Sequence, residues 1–271
     1  MDTMMEGFDS LDDVDERMEP SQNASSLSKM LQILELFTED EPVRSTASII
    51  EALETSRATG YRYIKTLHDA GLLNAVRSGR YTLGRRIIQM DLQIRQSDPL
   101  LLAGAGVLED LVDTIGHSAL LCAAYDDSVL CVAECRAPLS PANRFSRGEQ
   151  RPLFQGAISK IILAHLPLTR LKAIYARQPD DVERAGLGST WNEFRTSVNK
   201  FKKDGYALTV GEFNPGVTGI AAPILDQKVV VGSVGVAWDE KERDVNVQRA
   251  ILAVKLAGMT VSERLAEKQQ R

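Results

Sequence analysis

The chain is poor in the residues from which catalytic and metal centres are usually built. In 271 residues it has three histidines and three cysteines. His68, His117 and His165 are scattered, and none stands at metal-ligand spacing with another histidine or a cysteine. Cys122, Cys131 and Cys135 are odd in number and lack C-x-x-C spacing, which argues against a disulfide framework and against structural zinc. They suit a reducing cytoplasm, and on strands Cys131 and Cys135 read as small apolar residues. His117 precedes Cys122 by five positions, an odd offset that puts the two on opposite faces of a strand and disfavours a thiol–imidazole pair. Glu134 and Glu212 have no evident partner, and there is no phosphate-cradling glycine-rich loop. No apolar run approaches the roughly 20 residues of a membrane span. The acidic amino terminus has no apolar signal core. These absences lead us to expect a cytoplasmic protein that is not an enzyme and uses no cofactor, metal or membrane.

Net charge is −5, which by itself discourages a nucleic-acid reading, but the charge is unevenly spread. Within the first 20 residues eight carboxylates face Arg17 alone. Few large apolar residues lie in 1–23, so we expect a disordered acidic tail there, an inert solubilising arm rather than a competitor for a basic surface. Between Arg57 and Arg86 the balance reverses: Arg57, Arg62, Lys65, Arg77, Arg80, Arg85 and Arg86 stand against Asp69 alone.

That basic region follows an ordered pattern. Ile49, Ile50 and Leu53 share one face of a short helix, Glu54-Thr55-Ser56 interrupts, and Ile64, Leu67 and Ala70 mark the buried face of a second helix. Ser56 suits its N-cap and Gly71 its end. Arg57, Ala58, Tyr61, Arg62 and Lys65 are left on the outer face, whereas Tyr63 reads as core. Residues 72–76 and 80–83 then read as strands joined at Ser78-Gly79, with Arg77 and Arg80 flanking the tip. Helix, turn, helix and cationic hairpin in this order are the pattern of a winged helix-turn-helix, whose second helix enters the major groove. The plainer alternative is a small helical domain with solvated basic residues.

Ahead of this module, Leu27, Met30, Leu31, Leu34 and Phe37 form one helical stripe and Ile33 and Leu36 a second, which suggests a partner subunit. Behind it, Leu83, Ile87, Met90 and Ile94 predict a linker helix ending near Ser97, and residues 100–115 predict one further helix stopped by Gly116. Strands are then expected over 119–125, 129–135, 206–211, 217–225 and 229–238, with a short one near 144–146 in an otherwise irregular 136–152. Helices are expected over 156–164, 168–176 and from a Thr190/Glu193 capping box to Gly205. Asp244 is the expected cap of a final helix through Val247, Ile251, Val254, Leu256, Met259 and Val261. The second domain is thus α+β, a sheet of about six strands with helices packed on it.

The blocks SRATGYRYIKTLHDAGLL, GRYTLG, RPLFQGAISKIILAHLP, KKDGYALTVGEFNPGVTGIAAPILD and VVVGSVGVA, in this order, resemble the IclR-type bacterial transcriptional regulators over roughly residues 27–265. Beyond the acidic tail expected at 1–23 from its composition, the resemblance implies a winged helix-turn-helix at 24–83, a linker helix at 84–98 and a GAF-like effector-binding domain at 99–271, in a homodimer or homotetramer on double-stranded operator DNA. It implies that Arg57 to Lys65 read the DNA, with Thr59 and Arg62 at contact positions, Tyr61 where a base contact is common, and Arg77 and Arg80 in the wing. It implies an effector pocket between the sheet and Gln155-Gly156-Ala157-Ile158-Ser159, with Phe154 beside it.

Exposed amides at the start of the helix after Gly156 attract anions, so a bound carboxylate needs no dedicated arginine there. Relatives that sense very small oxo-acids place an acidic residue, a cysteine and two serines where this chain has Thr209, Gly219, Gly235 and Ala237. We therefore expect a roomier, less polar cavity suited to an aromatic carboxylate such as a hydroxybenzoate. Ser159, which stands where the family's glycine precedes Lys160, is expected to add a hydroxyl near it. The implied function is a ligand-responsive regulator, read as a repressor, of a catabolic operon. The alternatives are an activator sensing a small aliphatic oxo-acid, a protein-binding scaffold and, least favoured, an enzyme.

Overall fold

The computed structural model describes residues 25–137, 145–242 and 244–268. The expected acidic tail, and Arg144 of the expected short strand, lie outside them; Phe145 and Ser146 are not in a strand. The chain divides into two compact units, Met1–Gln93 and Ile94–Arg271. Among the described residues no helix is long and apolar enough to cross a membrane.

The first unit begins with α1 (Ser26–Glu35), capped by Ser25, whose hydroxyl accepts from the Ser28 amide. Only Ile33 of this helix is fully buried, whereas Leu27 and Leu31, of the first of the two stripes, are 68% and 53% exposed. The true inner face is Ile33 with Met30 and Leu34 beside it. Strand β1 (Arg44–Ser45) leads into α2 (Thr46–Ala52) and α3 (Arg57–Asp69), and β2 (Leu73–Val76) with β3 (Arg80–Leu83) completes a sheet of order β1-β3-β2. Ser56 caps α3 by accepting from the Thr59 amide at 3.3 Å, and Gly71 takes the left-handed conformation after its end. A Cβ on Gly60 would lie 2.4 Å from Ile50 Cγ1, so α2 and α3 approach this closely only with glycine there. Ile49, Leu53, Tyr63, Ile64, Leu67 and Leu73 form the core, with Tyr63 as expected among them; its hydroxyl lies 2.6 Å from Ser26 Oγ.

Helix α4 (Arg86–Ser97) has no buried residue, and Ile88, Leu92 and Ile94 are largely exposed. The division between the two units falls inside it.

In the second unit the single helix expected over 100–115 is two, α5 (Pro99–Gly104) and α6 (Val107–Ile115). Ala105 is extended and Gly106 left-handed (φ 77°), so the backbone turns between them. The six strands are β4 (Ala119–Tyr125), β5 (Ser128–Cys135), β6 (Gln150–Pro152), β7 (Ala207–Val210), β8 (Val217–Asp226) and β9 (Val229–Asp239). All neighbours pair antiparallel, in the order β6-β5-β4-β9-β8-β7. Between β6 and β7 run α7 (Ala157–His165), α8 (Leu168–Arg177), α9 (Pro179–Arg184) and α10 (Trp191–Asp204), and α11 (Val247–Lys268) closes the chain.

Alternation along the strands feeds two cores, one on each face of the sheet. Leu120 and Cys122 join Ile161, Ile162 and Phe194 on the α7 and α10 side. Leu121, Val234 and Val254 pack on the α5, α6 and α11 side. The Thr190/Glu193 capping box forms as the sequence predicts. The cap of α11 is not Asp244: Asn246 Oδ1 accepts from the Arg249 amide at 3.0 Å, nearer the first helical turn. Val247, Leu256 and Met259 point outward, unlike Ile251, Val254 and Val261.

Candidate functional site

Two surfaces hold the residues singled out above. On α3, Arg57, Ala58, Tyr61, Arg62 and Lys65 are exposed, and Thr59 is half-buried, its Oγ1 accepting from Ser56 at 3.0 Å. Tyr61 is 58% exposed, a large ring left in water by a helix whose opposite side is core. The hairpin tip is the three residues Arg77, Ser78 and Gly79 between the paired Val76 and Arg80, and Ser78 and Gly79, both at φ 66°, take the left-handed conformation that reverses the chain. Gly79 O accepts from the Thr46 amide (3.1 Å) and the Thr46 hydroxyl (3.0 Å), which ties the tip to the start of α2. Exposed Arg77 and Arg80 are thereby held on a braced hairpin beside α3. Cations on a protruding helix and on a hairpin tip neutralise phosphates along a duplex backbone, and helix side chains reach base edges.

The second surface is internal. A small cavity of about 50 Å³ lies where α7 begins against the sheet. Gly156, Ala157, Ile158, Thr209, Gly219, Gly235 and Ala237 line it; Phe154 and Ser159 do not. Phe154 lies in the hydrophobic core, and Ser159 is fully buried within α7 with its hydroxyl unpaired. The sheet registers explain the grouping. Thr209 pairs with Gly219 and Gly219 with Ala237, so three adjacent strands present a row of small residues, and Gly235 pairs with Leu120 on the next strand.

The hollow is not the roomy one expected from those small residues, because the chain fills it. Residues 211–216, between β7 and β8, turn on Gly211 (φ 66°) and Gly216 (φ 77°) and fold Glu212, Phe213 and Asn214 against it. Glu212, which had no evident partner in the sequence, accepts from the Gly156 amide at 3.1 Å and from Lys160 Nζ at 2.8 Å. The start of α7 therefore already carries a carboxylate, the chain's own. Glu134 is likewise paired, with Arg136 at 3.1 Å.

An arginine that the sequence reading did not single out, Arg151, also lines the cavity. It sits in β6, in the stretch read as irregular. Its Cζ lies 3.7 Å from the ring centroid of Phe145 and 3.7 Å from that of Phe213. It is 9% exposed, and its Nε and Nη2 are buried without a hydrogen-bond partner. Burial pulls the guanidinium down to about 10, so it remains protonated at neutral pH. The only signal for it in the sequence is alternation, since a strand at 150–152 turns the middle residue inward.

The candidate thiol–imidazole pair does not form. His117 lies 3.5 Å from Glu242 and against Trp238 at 5.9 Å, while Cys122 faces Cys131 across the sheet. Burial first, and then Cys131, pushes the Cys122 thiol well up, which keeps it protonated and poorly nucleophilic.

The family model described as IclR helix-turn-helix domain matches residues 26–77, and the one described as bacterial transcriptional regulator IclR C-terminal matches 95–262. The glycerol operon regulatory protein of Streptomyces coelicolor is 25% identical over 218 residues, covering 80% of this chain and 85% of the relative. Among solved structures, an IclR transcriptional regulator from Alicyclobacillus acidocaldarius superposes with a TM-score of 0.74 at 21% identity, over 90% of this chain and 99% of that one. An IclR homologue from Microbacterium hydrocarbonoxydans complexed with 4-hydroxybenzoate gives 0.73 at 19% identity, over 90% and 100%. With a helix-turn-helix in one unit and the matching α+β fold in the other, the chain belongs to the IclR family of bacterial transcriptional regulators, and is a DNA-binding regulator with an effector-binding domain rather than an enzyme.

Proposed function

We propose that the protein represses a catabolic operon and is released from its operator by an aromatic monocarboxylate of the hydroxybenzoate kind. The observation that carries the effector half is the cavity at the start of α7. Its floor is the row Thr209, Gly219 and Ala237, its walls include Leu120, Ile158 and Phe213, and its mouth is a loop with a glycine at each end. Small residues leave cross-section for a ring, and apolar walls reward its burial. A bound 4-hydroxybenzoate in a relative of the same fold supports the choice. A cavity of about 50 Å³ is smaller than a single-ring acid, so it must enlarge, by lifting of the 211–216 loop, to admit one. The present volume is the observation behind the second reading, a small aliphatic oxo-acid such as pyruvate as the effector; in that reading the protein is an activator.

On the DNA side, Arg57, Thr59, Tyr61, Arg62 and Lys65 engage the major groove with Ala58 against it, and Arg77 and Arg80 hold the flanking backbone. Exposed Leu27 and Leu31 on α1, and Ile88 and Leu92 on α4, are surfaces on which a homodimer or tetramer can form. Effector binding then shifts the population between two arrangements of that oligomer through α4, changing the spacing of two recognition helices relative to the half-sites. Calorimetric titration of the full chain with 4-hydroxybenzoate, benzoate and pyruvate tests the reading. Tighter binding of the aromatic acids supports it, and tighter binding of pyruvate selects the second reading.

A further inference from the structure

Arg151 raises a physical question that the fold alone does not answer. A guanidinium carries five N–H donors, and a buried donor without an acceptor gives up its hydration for nothing. Arg151 holds Nε and Nη2 in that state. Stacking between Phe145 and Phe213 offsets part of the cost, because each ring face attracts a cation. Yet the rings meet only the faces of the guanidinium plane, and Nε and Nη2, whose N–H bonds lie along its edge, stay buried without an acceptor. Among the residues lining the cavity Arg151 is the only cation. The anion site anticipated at the start of α7 is meanwhile occupied by Glu212, which also neutralises Lys160.

We propose that Arg151 is the carboxylate-binding residue of the effector cavity, and that the effector's anionic group docks on the in-plane edge of its guanidinium rather than on the Gly156 amide. The assignment rests on the reading of this cavity as the effector site. A carboxylate accepts two parallel N–H bonds in the fork geometry that a guanidinium offers, and the bond strengthens where water is excluded. Phe213 couples the contact to the 211–216 loop, since one side chain both lines the cavity and stacks on the anchor. The specificity follows: the site selects monocarboxylates and discriminates against the corresponding carboxamides, which offer one carbonyl acceptor and no charge.

The test is isothermal titration of the full chain, wild type, Arg151→Met and Arg151→Lys, with 4-hydroxybenzoate, benzoate and pyruvate and with 4-hydroxybenzamide and benzamide. Methionine keeps an apolar arm between the rings, and lysine keeps the charge without the fork. Wild type should bind at least one acid roughly 10- to 100-fold more tightly than its amide. Arg151→Met should lose that preference with its unfolding midpoint unchanged or raised, and Arg151→Lys should keep only part of it. Acid binding by Arg151→Met at wild-type affinity, while Gly219→Phe abolishes it, overturns the anchor and leaves the cavity standing. A lowered midpoint with the preference intact makes Arg151 a packing residue and also overturns the proposal. If no acid binds wild type and Gly219→Phe changes nothing, the effector reading itself falls, and the anchor with it.

Discussion

The two units use arginine in opposite ways. The first displays its cations in water, on an exposed helix face and a hairpin tip; the second encloses one guanidinium between two phenylalanine rings with two donors unpaired. Charge on a surface is cheap to hold, reaches far, and is weakened by salt. A desolvated charge is costly to hold, acts over one contact, and is nearly blind to salt. The contrast matches two kinds of target, a polyanion recognised along its length and a small anion recognised once.

The largest expected effect follows from that contrast. Raising salt from 50 to 200 mM should weaken operator binding by roughly a thousandfold if the cations of α3 and the wing each meet a phosphate. Over the same range, carboxylate binding should change by less than about threefold. Filter binding and calorimetry in matched buffers read the two, and equal salt slopes would erase the distinction. Next in size, Gly219→Phe should reduce effector affinity by about 100-fold or more while operator affinity holds. A Cβ at Gly219 meets Ala157 Cβ at 3.7 Å, Thr209 Oγ1 at 3.8 Å and Val236 O at 3.9 Å, all ordinary contacts, so the backbone accepts a side chain and the ring fills the cavity.

Arg62→Ala should act in reverse, lowering operator affinity by roughly tenfold and the salt slope by about one, with effector binding intact. Fluorescence anisotropy on a labelled fragment at several salt concentrations measures both. Smallest, Thr190→Ala should cost about 1 kcal/mol of the second unit's stability by removing the α10 cap, and shift neither binding activity. Hydrogen bonds from the Ser189 backbone and hydroxyl, then from Thr190, hold the Glu193 carboxyl of that cap below its ordinary 4.5. A carboxylate depressed in the folded state stabilises above its unfolded pKa and ceases to do so as pH falls through the folded one. The Glu193 contribution should therefore fade in melts taken below about pH 4.5 and be complete at neutral pH.

What the sequence disclosed follows the range of the interactions. The α10 capping box, the hairpin turn after Tyr125 and the left-handed Gly205 are settled by residues a few positions apart, and they are plain in the sequence. The break between α5 and α6 is invisible to hydrophobic periodicity, which continues across it while only Ala105 and Gly106 change conformation. Asp244 and Asn246 are both good caps, and only the geometry of the first turn chooses between them. The small residues lining the cavity follow from a family pattern, but what fills it does not. Glu212 reaches Gly156 across 56 positions, and Arg151 meets Phe213 from a three-residue strand too short to show a period. Contacts of that range exist only once the sheet has assembled.

The most direct test of a regulator with separate duplex and acid sites is anisotropy of the full purified chain on promoter fragments from its own genome, at low salt, with and without 4-hydroxybenzoate. The account predicts tight, salt-sensitive binding to a discrete fragment, with an affinity that falls when the acid is added. Absence of salt-sensitive binding to any fragment, or binding on which neither this acid nor pyruvate has an effect, would contradict it.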